Sequence, residues 1–274
     1  MVAAHVAMDT AVRFGREWRN RIIEGGWRAV LPCITNSEEI KQKNNNANQV
    51  TAILFQEQFG SFEQFIHTFA NEQQITLRSP LISDISILGK LTQLKSITLA
   101  DTSVMDLRPL GYLKNLHILY LEFTKHGYLH GISELTELIN LTISMPMLSD
   151  IRELMQLKKL KILAIFGSKI NDLGPLKELA DLILLTVMFS PVKNISPLSG
   201  LTNLRSLWLG YTQVSDLSPL SGLPNLSTLS LSNTPVSDIS PLAGLKNLEN
   251  LYLSNTKVTD ISSLSNLQNL KIEL

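Results

Sequence analysis

The sequence predicts an α/β solenoid, in which each coil adds one short parallel strand to a concave sheet and one short 3-10 or helical turn to the convex side. Leucine is concentrated in one part of the chain: of 49 leucines among 274 residues, 46 lie in residues 81–274. The same part repeats with a period of 22 residues, as VSDLSPLSGLPNLSTLSLSNTP (214–235) and VSDISPLAGLKNLENLYLSNTK (236–257) show. A fixed period in this range is typical of coils that bury their apolar faces only against their neighbours.

The strand of each coil is predicted from two apolar columns that lie two residues apart. One column runs in steps of 22 from Ile75 to Leu251, and the other from Leu77 to Leu253. Nine units keep this register without an insertion or deletion, and a truncated tenth places Ile272 and Leu274 one residue early. Because side chains alternate along a strand, the residue between the two columns faces outward. We therefore expect about ten parallel strands in residues 73–274.

The turn of each coil is predicted from the segment Asp-Ile/Leu-Ser-Pro-Leu that follows the strand. Serine is a common helix cap and proline suits the first helical position, so we expect the serine to cap a short turn. A column of threonine and serine precedes this segment, with Thr212 and Thr234 as examples. The hydroxyl groups of this column are expected to form hydrogen bonds with the backbone of the turn from inside the coil.

The consensus LxxLxLxxTxVxDISPLxxL resembles the leucine-rich repeat family. Its 22-residue length and DIxPL segment are similar to the repeats of bacterial internalins and of the protein-phosphatase-1 regulatory proteins. The resemblance covers about residues 73–274 and departs from the family in placing Thr or Ser where asparagine usually stands. It implies a leucine-rich repeat horseshoe from a bacterium, with a non-enzymatic role in protein binding.

The chain divides into an N-terminal helical segment and cap at 1–72 and the repeat solenoid at 73–274. Five phenylalanines between Phe55 and Phe69 recur at helical spacing, which predicts a hydrophobic lid on the first coil. A second amphipathic helix is expected within residues 3–24. A partner-binding helix is the alternative for either segment.

Composition excludes several function classes. Lysine plus arginine is 24 and aspartate plus glutamate is 24, so the chain lacks the positive charge expected of a protein that binds nucleic acid or a membrane surface. The single cysteine, Cys33, excludes an intramolecular disulfide. No signal peptide or long apolar run is present, which predicts a cytoplasmic protein and leaves secretion without a signal open.

No catalytic motif appears, and the sequence predicts neither an enzyme nor a cofactor nor a metal site. His126 and His130 have a spacing that suits a metal on a helix, but the repeat places His126 on a turn. A local distortion of the coil at 123–131 is the favoured interpretation, and a functional notch there is the alternative.

The outward residues of the strands predict where a partner binds. Large apolar side chains concentrate on the middle coils of the concave face, and such exposed clusters mark interaction sites. The predicted partner-binding residues are Tyr120, Phe123, Ile162, Phe166, Leu184, Met188, Phe189, Trp208, Tyr211 and Tyr252.

These observations predict a module that binds a folded protein through its concave face. An inhibitor or immunity protein, an effector and a scaffold all remain open. The alternatives are a regulatory subunit of a protein phosphatase and a secreted internalin-like adhesin. The last strand has no polar capping unit after it, which predicts self-association through that edge as a further option.

Overall fold

The computed structural model of the chain describes residues 50–52, 70–78, 80, 82–122 and 127–274. All of them belong to the second of two compact units, 48–274. The predicted N-terminal helices, with the phenylalanines from Phe55 to Phe69, lie outside the described residues, and so does Phe123.

The described residues form one sheet of eleven parallel strands, paired in chain order from β1 to β11. Each strand of residues 73–274 pairs with the next coil as the repeat predicts. The strands are β1 Val50–Ala52, β2 Gln74–Arg78, β3 Ser96–Ala100, β4 Ile118–Glu122, β5 Asn140–Ser144, β6 Ile162–Phe166, β7 Leu184–Met188, β8 Ser206–Trp208, β9 Thr228–Ser230, β10 Asn250–Tyr252 and β11 Lys271–Glu273.

The two ends of the sheet depart from the 22-residue period. Val50 of β1 lies opposite Ile75, an offset of 25 residues, so the repeat pattern does not extend to this strand. β1 also lies before residue 73, on the N-terminal side of the predicted boundary. Leu251 lies opposite Ile272, an offset of 21, which confirms the early register of the last coil.

A short 3-10 helix follows each strand from β2 to β10 on the convex side, as predicted. The nine helices are Ser86–Lys90, Arg108–Tyr112, Ile132–Glu134, Arg152–Gln156, Gly174–Leu176, Ser196–Leu198, Ser218–Leu220, Ser240–Leu242 and Ser262–Leu264.

The predicted capping role of serine is wrong. Ser240 is the first residue of its helix, and the preceding Ile239 makes no side-chain cap hydrogen bond. The aspartate two residues earlier takes that role, since Asp238 Oδ1 accepts a hydrogen bond of 2.8 Å from the Ser240 N–H. In the same way, Asp172 Oδ1 accepts a hydrogen bond of 2.7 Å from the Gly174 N–H, and Asn194 Oδ1 accepts one of 2.9 Å from the Ser196 N–H. This geometry is an Asx turn.

The apolar columns fill the interior of the coil. Leu207 and Leu229 are fully buried, as are their equivalents from Ile97 to Leu185. The hydroxyl column lies just inside the next bend, where the Thr212 and Thr234 hydroxyls each donate a hydrogen bond of 2.6 Å to the carbonyl three residues earlier. With the inward positions occupied by leucine, the outward positions of the strands are left to form the concave surface.

Candidate functional site

The candidate site is the concave face of the sheet, and the structure brings most of the predicted residues together there. Tyr120 lies on β4, Ile162 and Phe166 on β6, and Leu184 and Met188 on β7. Trp208 and Tyr252 lie on β8 and β10, while Phe189 and Tyr211 follow the ends of β7 and β8.

Neighbouring strands place the side chains of β6 and β7 beside one another. Phe166 lies directly opposite Met188, and Ile162 opposite Leu184. The Met188 side chain continues toward the next coil, where a Cβ atom at Gly210 would lie 3.0 Å from its terminal methyl carbon. Gly210 therefore leaves the space in which Met188 rests.

An aromatic pair spans two strands further along the face. The rings of Trp208 and Tyr252 stack with their centroids 5.5 Å apart and their planes at 25°. Ser230 of β9 lies between these two residues in the sheet register and is only 4% exposed. The small serine thus lets the two larger side chains approach each other across the strand that separates them.

A second aromatic pair stands at the ends of β7 and β8. The rings of Phe189 and Tyr211 stack with centroids 4.3 Å apart and planes at 19°. Stacked aromatic pairs contribute roughly 0.5–1.5 kcal/mol beyond the area they bury. Tyr211 nevertheless remains 39% exposed, so the pair is accessible to solvent.

The backbone under this second pair is left-handed, with φ of 55° at Phe189 and 58° at Tyr211. The same column adopts φ of 59° at Asn233, 57° at Asn255 and 60° at Gly167. Asparagine and glycine tolerate this conformation, whereas a bulky aromatic residue there is an outlier. Two coils therefore carry aromatic side chains at a position where asparagine costs less, and backbone strain of this kind concentrates at functional sites.

Two other predicted residues contribute less open surface. Leu184 is only 6% exposed on its strand. Tyr120 is half-buried, and the Asn140 side-chain amide donates to its hydroxyl at 3.4 Å. Burial raises the pKa of the Tyr120 hydroxyl, and the nearby Glu122 carboxylate adds to the shift, so Tyr120 is a neutral donor and acceptor.

The N-terminal part of the concave face carries charged side chains that pair with one another, a feature that the sequence analysis did not predict. Arg78 lies 3.2 Å from Asp101 and 3.6 Å from Glu122. These ion pairs cross from β2 to the coils of β3 and β4. The apolar cluster begins beyond this charged end.

The irregular coil at 127–134 lies on the other side of the molecule. Gly131 has φ of 97°, and a Cβ atom there would lie 2.6 Å from Cα of Arg108, so only glycine fits the turn. His130 Nδ1 lies 3.5 Å from Glu153 Oε1, and the Tyr128 ring stacks on the His130 ring at 5.6 Å. His126 lies outside the described residues. Across the residues that the structure does describe, no group of three or more His, Cys, Asp or Glu side chains is arranged to hold a metal ion.

No helix in the described part of the chain has the length and apolar character needed to cross a membrane.

This architecture defines a leucine-rich repeat solenoid, and the comparisons with known proteins agree. A family profile described as Leucine Rich repeats in two copies matches residues 202–244. The structure of internalin C2 from Listeria monocytogenes is 35% identical in sequence, with a TM-score of 0.64, over 67% of this chain and 82% of that one. Among curated proteins, none matches the chain.

Two further solved structures share the fold. An internalin from Listeria monocytogenes matches 90% of this chain and 93% of its own at 24% identity, with a TM-score of 0.58. A leucine-rich repeat protein of Leptospira interrogans matches 77% of this chain and 57% of its own at 21% identity, with a TM-score of 0.69.

The chain belongs to the leucine-rich repeat family and is of the bacterial internalin type. Proteins of this family are protein-interaction modules. The predicted family and repeat subclass are thus confirmed.

Proposed function

We propose that this protein is a non-enzymatic binding module that binds a folded protein partner through the concave face of its repeats. The observation that carries the proposal is the stacked pair Phe189–Tyr211, which stands on left-handed backbone. The other left-handed residues of this column are Asp101, Gly167, Asn233 and Asn255, all of them small or polar types. A position that served only the fold would favour asparagine here.

The anchors of the proposed site are large, apolar and adjacent. Phe166, Met188, Trp208 and Tyr252 extend the Phe189–Tyr211 pair across five successive strands, β6 to β10. Trp, Tyr, Phe and Met are the residues that dominate binding energy at protein interfaces. A cluster of this size on a sheet face that no other described element covers is a typical interaction surface.

The proposal is tested by affinity capture from a lysate of the source organism, read by mass spectrometry. The bait is the wild-type chain beside a Phe166→Ala/Trp208→Ala double variant, each checked for folding. The matched control is Tyr112→Ala/Met155→Ala, because these side chains are 69% and 40% exposed on the convex turns. The proposal predicts a partner that wild type and control retain and the concave variant loses. A partner that all three retain would refute it.

The identity of the captured protein then decides the finer role. A toxin or an enzyme that the chain silences indicates an inhibitor or immunity protein, whereas a host protein indicates an effector. A metallophosphatase indicates the regulatory-subunit alternative. The similarity to internalin C2 favours the adhesin as the second candidate, and fractionation of the source cells separates a surface or secreted role from a cytoplasmic one.

A further inference from the structure

Among the described residues, none at the centre of the concave face carries a charged side chain. Six consecutive strands with the residues that follow them contain no Asp, Glu, Lys, Arg or His; the segments are 140–145, 162–167, 184–189, 206–211, 228–233 and 250–255. Their outward residues are apolar, aromatic, hydroxyl or amide side chains. The first charged residues on this face, Arg78, Asp101 and Glu122, lie on the earlier coils and pair with one another.

Charged side chains instead border this uncharged centre on both sides. Lys161, Arg205 and Glu249 are exposed just before β6, β8 and β10, and Lys169, Lys193 and Lys257 are exposed beyond the ends of β6, β7 and β10. Five of these six residues are basic, but the exposed aspartates Asp150, Asp172, Asp216, Asp238 and Asp260 also follow the ends of β5, β6, β8, β9 and β10, so the rim carries both charges. An apolar centre with a charged rim is the usual anatomy of a protein interface.

The uncharged centre is large enough to hold the middle of such an interface. At about 4.8 Å between strands, β5 to β10 span roughly 24 Å, and six residues along each strand span roughly 20 Å. A standard interface buries about 800 Å² per partner. The middle of the partner surface therefore falls on uncharged residues, and only its edge reaches the rim.

We infer that the partner presents an apolar, aromatic-containing patch with no charged residue at its centre and with its charged residues at the periphery. This inference rests on the proposed function and names the chemistry of the partner. A charged group of the partner, placed over Trp208 or Met188, would lose its water and find no counter-charge within the centre. The rim, in contrast, carries charges of both signs and can pair with charged side chains of the partner.

The test uses a displayed library of a small folded helical domain with a randomised surface patch, selected on the full chain. Binders are kept when they bind wild type at least about tenfold tighter than Phe166→Ala/Trp208→Ala, which confines them to the concave centre. The inference predicts that their central positions are aromatic or aliphatic and that their charged residues are peripheral. Placing Lys or Asp at the central position of one such binder should weaken it by about 30-fold or more, while the same change at its periphery should not.

Charged residues at the central positions as frequent as in the unselected library would overturn the inference. A library that yields no binder able to distinguish wild type from the double variant would also overturn it. These failures differ from failure of the proposed function. A natural partner that binds through this face with a charged centre contradicts the inference alone, whereas a natural partner that binds elsewhere contradicts the proposed function.

Discussion

Replacing the strained aromatic pair by asparagine tests whether it serves binding or folding. The change is Phe189→Asn/Tyr211→Asn, which gives both coils the residue already present at Asn233 and Asn255. Relief of left-handed strain should contribute about 1 kcal/mol at each position, or about 2 kcal/mol together. Loss of the ring stack costs about 1 kcal/mol, and loss of partial burial costs about 1 kcal/mol more for each ring.

The terms nearly cancel, so the free energy of unfolding of the double variant should lie within about 1 kcal/mol of wild type. Urea unfolding followed by circular dichroism measures it, with an unchanged denaturant slope as the check that the unfolding reaction is the same. The control is Phe166→Asn. Its strand backbone is not left-handed, so it loses partial burial with no relief of strain and should cost about 1–2 kcal/mol. A loss of more than about 3 kcal/mol in the double variant, as for a core aromatic residue, would refute this account of the pair.

The remaining predictions concern the register and the turns. Leu207→Ala should lower the free energy of unfolding by roughly 2–5 kcal/mol because Leu207 is fully buried. Trp208→Ala should cost only about 1 kcal/mol, because it loses partial burial and the stack on Tyr252 but leaves no cavity in the core. Equal losses in thermal or urea melts would contradict the assignment of the two faces. Asp172→Ala should lower the free energy of unfolding by about 1 kcal/mol, because the hydrogen bond from the Gly174 N–H is lost. Asp172→Asn should cost almost nothing, since an amide oxygen accepts the same hydrogen bond. Similar losses in both variants would contradict the capping role of Asp172. Hydrogen bonds from Arg side chains and from the backbone lower the pKa of Asp106 to about 2 and also lower the pKa of Asp150. A carboxyl group whose pKa is lower in the folded protein than in the unfolded chain stabilises the folded protein at pH values above the unfolded pKa. That stabilisation is lost as the pH falls through the folded pKa. The melting temperature should therefore decrease from about pH 4 toward pH 2, and a melting temperature that stays constant over this range would contradict the role of these ion pairs.

The fold was predictable because one physical constraint repeats without interruption. Each coil buries its leucines only against the next coil, so the column through Leu207 and Leu229 specifies strand, pairing and register together. The convex turn was predicted in place but not in its chemistry. Asp238, not Ser240, makes the cap, because the 3-10 helix begins at the serine itself.

The candidate site was predictable as a set of residues but not as an arrangement. Trp208 and Tyr252 are 44 positions apart, and their stacking depends on the small residue of the intervening strand and on how the side chains lean. The left-handed backbone at Phe189 does have a signal in the sequence, since its column holds asparagine at 233 and 255 and glycine at 167. These residue types are the ones that favour a positive φ, so the column by itself indicates the conformation.

Site-specific photo-crosslinking shows whether the concave face holds the partner. A benzophenone-bearing residue is placed at Ser144, which lies opposite Phe166 in the sheet register, and in a second protein at Gln156, which is exposed on the convex turn of the same coil. If the concave face holds the partner, a protein from the native lysate crosslinks at position 144 and not at 156, and the crosslink is lost when Trp208→Ala is added. Crosslinking at 156 alone, or at 144 undiminished by Trp208→Ala, would contradict binding through this face.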